Sequence, residues 1–264
     1  MNNPLSLFRF YLPLIVMALL ISPGSLIAKS GPPALPPGFV YLRDIAPTIL
    51  QDMRYATRNN FTGQILPGYQ ASECILRMQV AQALLKVQTA LEVQGVGLKV
   101  YDCYRPHRAV RAFVRWASNK SQRSTKDYYP RIAKSSLFKR GYIARRSAHS
   151  RGSAIDLTLV ALPAIDQPAF DVSIKRGSCN DRQRKRRDNS LDMGTAFDCF
   201  DVMSHTDNRA ITGPARANRL RLRKMMSRFG FANYHKEWWH YSYKRRKYPR
   251  TSHDFVIRSQ QLQK

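Results

Sequence analysis

Acidic side chains are scarce in this 264-residue chain: 17 Asp and Glu stand against 44 Lys and Arg, for a formal charge of +27 at pH 7. Such a surface attracts polyanions. No nucleic-acid-binding motif accompanies the charge, so anionic polymers of a cell envelope are the expected partner, and a basic surface serving only solubility is the plain alternative. Cysteine is limited to four residues, none in C-x-x-C spacing, which argues against a cysteine-type zinc site. None falls in the first 28 residues, so nothing supports a lipoprotein anchor. Internal repeats are absent, and the length suits one catalytic domain with a real core rather than two. Only one long apolar run exists, Phe10 to Ile21, and it is shorter than the roughly 20 residues a membrane span needs.

That run follows Arg9 and leads through Ser22-Pro23-Gly24 to small residues ending at Ala28. Residues 1–28 therefore read as a Sec-type export signal, removed to leave a periplasmic protein without a membrane span. Pro13 and the lack of a clean A-x-A site keep an uncleaved anchor as the alternative. Residues 29–38, rich in Pro and Gly, read as a linker, with the catalytic domain over 39–264. In an oxidising compartment the four cysteines allow three full pairings, and sequence does not choose among them. The expectation is Cys74 with Cys103 and Cys179 with Cys199; buried free thiols are the alternative.

Apolar residues at helical spacing (Ile75, Met78, Leu84, Val87, Leu91, with Ala81 between) predict a core helix ended by Gly95 and Gly97. A strand around Leu98 and Val100 then carries Asp102, Tyr104 and Arg105 to a turn at Pro106. A second helix is expected from His107 to about Ala117, and a third from Pro214 to about Phe229, ended by Gly230. Ser153 to Val160 alternates as a strand, with Ile155, Leu157 and Leu159 facing a core and Asp156 turned toward an open cleft. Trp238 to Tyr243 reads as another strand. Tyr128 to Arg146 has no clear period. Residues 171–192, with seven Lys or Arg among four Asp, read as an exposed insertion loop that could edge the cleft. The sum is a single α+β domain, with a mixed, mainly antiparallel sheet flanked by helices.

Two short stretches carry the chemistry: Ser147-Ala148-His149-Ser150-Arg151-Gly152-Ser153-Ala154-Ile155-Asp156, and Glu237-Trp238-Trp239-His240. Two imidazoles and a carboxylate are the ligand set of a catalytic zinc with a position left for water, and Glu237 stands near a ligand as a candidate base. His107, His205, His235 and His253 lack such flanking residues and read as surface or supporting histidines.

The pattern resembles the D-alanyl-D-alanine dipeptidases, a branch of the zinc peptidases that includes D,D-carboxypeptidases. Asp52 to Thr57, Asn60 to Gly63, Tyr101 to Pro106, His149 to Leu159, Phe197-Asp198 and Glu237 to Tyr241 resemble dipeptidase blocks in dipeptidase order, over roughly residues 40–257. The resemblance implies one zinc ion held by His149, Asp156 and His240, Glu237 as general base and acid, and Arg105 as oxyanion stabiliser. It also implies Asp198 as partner of the substrate ammonium, with Tyr55 and Ser147 as further polar contacts. Phe61 and Trp239 read as packing walls, and Asn60 as a residue that caps a turn as readily as it touches ligand. The expected activity is hydrolysis of a free D-Ala-D-Ala dipeptide, in wall turnover. A D,D-carboxypeptidase or muropeptide endopeptidase on the same metal site is the nearest alternative. A basic envelope- or nucleic-acid-binding protein with a vestigial site is the alternative from another class.

Overall fold

In the computed structural model, residues 34–119, 125–171, 173, 177–181, 188–245 and 248–260 are described together with Met1. The export signal expected at 1–28 lies outside them, as do parts of the linker and of the 171–192 loop. The elements run β1 (Phe39–Tyr41), α1 (Leu42–Ile45), β2 (Leu50–Gln51), β3 (Ile75–Arg77), α2 (Met78–Glu92), β4 (Val96–Asp102), α3 (His107–Ser118), β5 (Ala154–Ala161), α4 (Gly213–Arg228), β6 (Phe231–Tyr234) and β7 (Glu237–Tyr243). Five strands form the main sheet in the order β2-β4-β5-β7-β6, with only β2 and β4 parallel. A two-stranded antiparallel sheet, β1 with β3, stands beside it. This is the mixed, mainly antiparallel α+β architecture that the sequence predicts.

The core follows the helical period of α2, whose Val80, Leu84, Val87 and Leu91 are all fully buried. That helix packs on β4, α4 packs on β6, and the two helices touch, so they share one face of the sheet. One boundary differs from the sequence reading. Ile75 belongs to β3, paired with Tyr41, and the helix begins only at Met78. A β-branched residue at helical spacing is ambiguous by pattern, and here the pairing with β1 decides it. The third helix starts at Gly213 with Pro214 in its first turn, where a missing N–H costs nothing. Strand β5 is buried on both faces from Ala154 to Val160, so the Asp156 and Thr158 side is covered rather than open. Asp156 is itself buried, at the base of the candidate metal-binding cleft it forms with His149 and His240.

Two irregularities in the sheet re-aim side chains. Between β4 and β5 the register shifts at Tyr101, bringing Asp102 opposite Asp156. Between β6 and β7 it shifts again: Asn233 faces Tyr241, but Tyr234 faces Glu237. Such bulges bend a strand and turn its residues away from the regular alternation.

The sequence expectation for the cysteines holds: Cys74 is bonded to Cys103 and Cys179 to Cys199, and no cysteine is free. Among the described residues no helix is long and apolar enough to cross a membrane. The insertion loop is anchored where it re-enters the domain. Asp188 accepts from Tyr101 (2.6 Å) and Arg54 (3.0 Å), and Lys99 of β4 lies 3.9 Å away. Although burial raises it, Arg54 and Lys99 hold its carboxyl below the usual carboxylate range.

Candidate metal and substrate site

His149 sits in a single tight turn, His149–Arg151, that ends at Gly152 with φ 67°. A Cβ at Gly152 would run into the ring of Phe39, so glycine is required both by conformation and by space. Asp156 lies two residues into β5 and pairs across the sheet with His240 of β7. The three side chains converge: His149 Nε2 lies 3.1 Å from His240 Nδ1 and 3.3 Å from Asp156 Oδ1, and His240 Nδ1 lies 2.9 Å from the same oxygen. Among the described residues this is the cluster of His, Cys, Asp or Glu groups close enough to hold a metal ion.

The donor set fits a divalent cation. Ligand bonds of about 2.0–2.2 Å at tetrahedral angles place ligand atoms roughly 3.4 Å apart, close to the three edges observed. His149 Nδ1 donates to the Cys103 carbonyl at 2.7 Å, which leaves Nε2 with its lone pair turned toward the other ligands. Burial pushes the His240 imidazole toward its neutral form, the one that binds metal. Charge points the same way. Asp102, Asp156, Asp198 and Glu237 are all buried, against one guanidinium, Arg105. Burial, reinforced by neighbouring carboxylates, holds Glu237 and Asp198 well above the usual range. A divalent cation and a substrate ammonium would offset that crowding.

Glu237 illustrates what the bulge in β7 accomplishes. Residues three apart on a regular strand face opposite sides. Here the Glu237 carboxylate comes within 4.0 Å of His240 Nδ1, because the register shift turns both the same way. Asn233 braces the distortion by donating its side-chain amide to the Glu237 carbonyl (2.9 Å) and the His240 carbonyl (3.0 Å). Nothing in the sequence reading singled out Asn233. Its only signal is an amide-bearing residue four positions before a Glu-x-x-His.

Arg105 extends from the end of β4 over the rings of Tyr55 (5.0 Å) and Phe113 (5.1 Å). Its Nε and Nη2 donate to Asp102 at 2.9 and 2.8 Å, and Nη2 lies 3.4 Å from Asp156 Oδ2. Asp102, which the sequence placed only at the end of a strand, is fully buried and also accepts from Tyr69 at 2.6 Å. It is the hub that aims Arg105.

Asp198 and Tyr55 meet, with the Tyr55 hydroxyl donating to both carboxylate oxygens at 3.1 and 2.9 Å. They form one buried unit rather than two separate contacts. Ser147 accepts from the His149 amide at 3.2 Å, which shapes the turn carrying His149 and leaves the hydroxyl proton as a donor. Asn60 caps its loop through bonds to the Thr57 and Gln64 carbonyls, and Phe61 and Trp239 pack against aromatic neighbours, as the sequence implies. His107, His205, His235 and His253 stay outside the cluster.

A family profile described as "D-ala-D-ala dipeptidase" matches residues 36–166 and 161–258. A D-alanyl-D-alanine dipeptidase of Enterococcus faecium is 36% identical over 222 residues, 84% of this chain and 98% of that protein. One of Streptomyces coelicolor is 37% identical over 220 residues, 83% of this chain and 98% of that protein. One of Escherichia coli is 29% identical over 202 residues, covering 76% and 82%.

Proposed function

The chain belongs to the D-Ala-D-Ala dipeptidase family, and from that premise we propose that it is a zinc metallopeptidase hydrolysing free D-Ala-D-Ala to D-alanine. The observation that carries this reading is the convergence of His149, Asp156 and His240 within 4.8 Å of one another, with Glu237 beside them. His149, Asp156 and His240 would hold a zinc ion, whose chemistry there would be to polarise a peptide carbonyl and acidify water. The chain's own residues supply the rest. Glu237, whose carboxyl burial and the neighbouring Asp156 and Asp198 hold well above the usual range, is placed to take a proton from the attacking water and return it to the leaving amine. Arg105, gripped by Asp102, presents its remaining guanidinium edge to the developing oxyanion. Asp198, its carboxylate steadied by Tyr55, receives the ammonium of the substrate. An ammonium partner buried this deeply selects a free dipeptide over a longer or acylated peptide, because an uncompensated carboxylate there is costly.

The apolar run and small residues within residues 1–28, read as an export signal, support a periplasmic location, and the excess of cationic side chains supports association with anionic envelope polymers. A periplasmic dipeptidase meets dipeptide released by wall turnover rather than the cytoplasmic precursor pool. The deciding experiment is hydrolysis of D-Ala-D-Ala, L-Ala-L-Ala and N-acetyl-D-Ala-D-Ala by the zinc-loaded protein, with Glu237→Ala as control. Cleavage of the free D,D-dipeptide alone, abolished by the substitution and by chelation, is the expected result. Efficient cleavage of the acetylated substrate would make the protein a D,D-carboxypeptidase, and no cleavage of any would overturn the enzyme reading.

A further inference from the structure

We infer that the two cystines are positioning elements of the site, each holding one of its halves: Cys74–Cys103 the metal and oxyanion half, Cys179–Cys199 the ammonium half. The inference rests on the dipeptidase reading above.

Both segments at issue lie outside helices and strands. Residues 103–105 leave β4 carrying, in three positions, the carbonyl that orients His149 and the guanidinium of Arg105. The backbone of this stretch is held by one bond from Tyr104 to Ile75 (2.9 Å) and a long one from Arg105 to His149 (3.3 Å); the Tyr104 ring stacks on Phe255, Arg105 is gripped by Asp102, and the disulfide to Cys74 is the covalent tie at Cys103. Cys74 is itself fixed, its amide donating to Gln51 (2.8 Å) and its carbonyl accepting from Leu42 (2.8 Å). The bond thus ties the His149 acceptor directly to the β1–β3 side of the domain.

The second cystine does the same for Asp198. That residue has φ 58°, a left-handed conformation that a non-glycine residue keeps only where its surroundings impose it. Cys199 follows it immediately, fully buried, and its partner Cys179 accepts from the Ala196 amide at 2.9 Å and donates its own amide to Asp127 at 2.8 Å. The disulfide and those bonds close the turn from both sides. Each cystine thus adjoins a site residue: the Cys103 carbonyl accepts from His149 and Cys103 lies two positions before Arg105, and Cys199 follows Asp198. Oxidation then becomes a condition of full activity, which an exported protein meets and a cytoplasmic copy of the same chain would not.

The test compares Cys74→Ala/Cys103→Ala and Cys179→Ala/Cys199→Ala with the wild type, reading kcat and KM on D-Ala-D-Ala and zinc affinity by competition with a chromogenic chelator. For the first pair kcat should fall about 10- to 100-fold, the size of effect a misplacement near 1 Å produces. Zinc affinity should also fall by about tenfold, since the His149 acceptor loosens. For the second pair KM should rise about tenfold, as a weakened charge-assisted contact does, with a smaller change in kcat and zinc affinity intact. Wild-type constants in both well-folded variants, or identical losses in both, would overturn the inference. Should the first pair fail to fold, Cys74→Val/Cys103→Ala restores core volume without the bond. If that also fails to fold, the cystine holds the domain rather than the site and the inference is overturned for it. A wild type that does not cleave D-Ala-D-Ala would sink the dipeptidase reading, while the zinc-affinity arm would still report on Cys103.

Discussion

Single side chains in this site have separable jobs, and substitution should separate them. Asp198→Ala is expected to lower kcat/KM for D-Ala-D-Ala by about 10- to 100-fold, the worth of a charge-assisted hydrogen bond, while cleavage of N-acetyl-D-Ala-D-Ala changes far less. Equal losses on both substrates would remove Asp198 from the ammonium pocket. Lys99 makes a different kind of statement. It is 2% exposed, and burial pushes its ammonium down to about 8 although Asp188 and Asp52 pull the other way. An unfolded lysine keeps its proton to about 10.5. Between those values unfolding takes up a proton, so stability rises with pH through that window. Denaturant titrations at pH 8 and 10.5 should show a gain of about 3 kcal/mol or less from this group. In Lys99→Met that rise should vanish, and its persistence would show that another group is responsible.

At the scale of elements, the bulge in β7 and the turn before β5 decide whether the site exists. Asn233→Ala removes both donors that brace the bulge; a loss of about 2 kcal/mol in stability is expected, accompanied by a fall in kcat with KM little changed. A variant that lost stability but kept kcat would mean the bulge holds itself. Gly152→Ala should be costlier, since it adds left-handed strain to an overlap with Phe39. A drop in Tm corresponding to about 2–3 kcal/mol, together with weaker zinc binding, is the expected readout. These elements were legible in sequence to unequal degrees. The spacing of Leu84, Val87 and Leu91 announced α2, and the alternation of Ile155, Leu157 and Leu159 announced β5. Strand β6 and the short β1 and β2 were not announced, because two to four residues carry too little period to separate a strand from a loop.

The whole molecule combines a negatively crowded site with a strongly cationic exterior. Its +27 charge is opposite in sign to the buried cluster of Asp102, Asp156, Asp198 and Glu237. On the function proposed above, a polyanion would be held at the surface, while the site would receive the cationic end of a small zwitterion. For the location, residues 1–28 fused to a phosphatase that matures only after export should yield active enzyme in a bacterial host. An inactive, cytoplasmic fusion would overturn the periplasmic proposal.

Sequence alone determined the chemistry available to this protein. His149, Asp156, Glu237 and His240 with their neighbours are local words, readable because a ligand type and its flanking residues are written in the chain itself. The sheet's period likewise implied an α+β layer. What only the tertiary structure decided is which way those groups face and what stands behind them. Glu237 and His240 would part on a regular strand, and a pairing shift with β6, set by contacts across the sheet, turns them together. Asp102 became the hub of Arg105, Asn233 the brace of the bulge, and Asp188 the anchor of the insertion loop. Each depends on partners distant in the chain, and such proximity is a property of packing that no local pattern encodes.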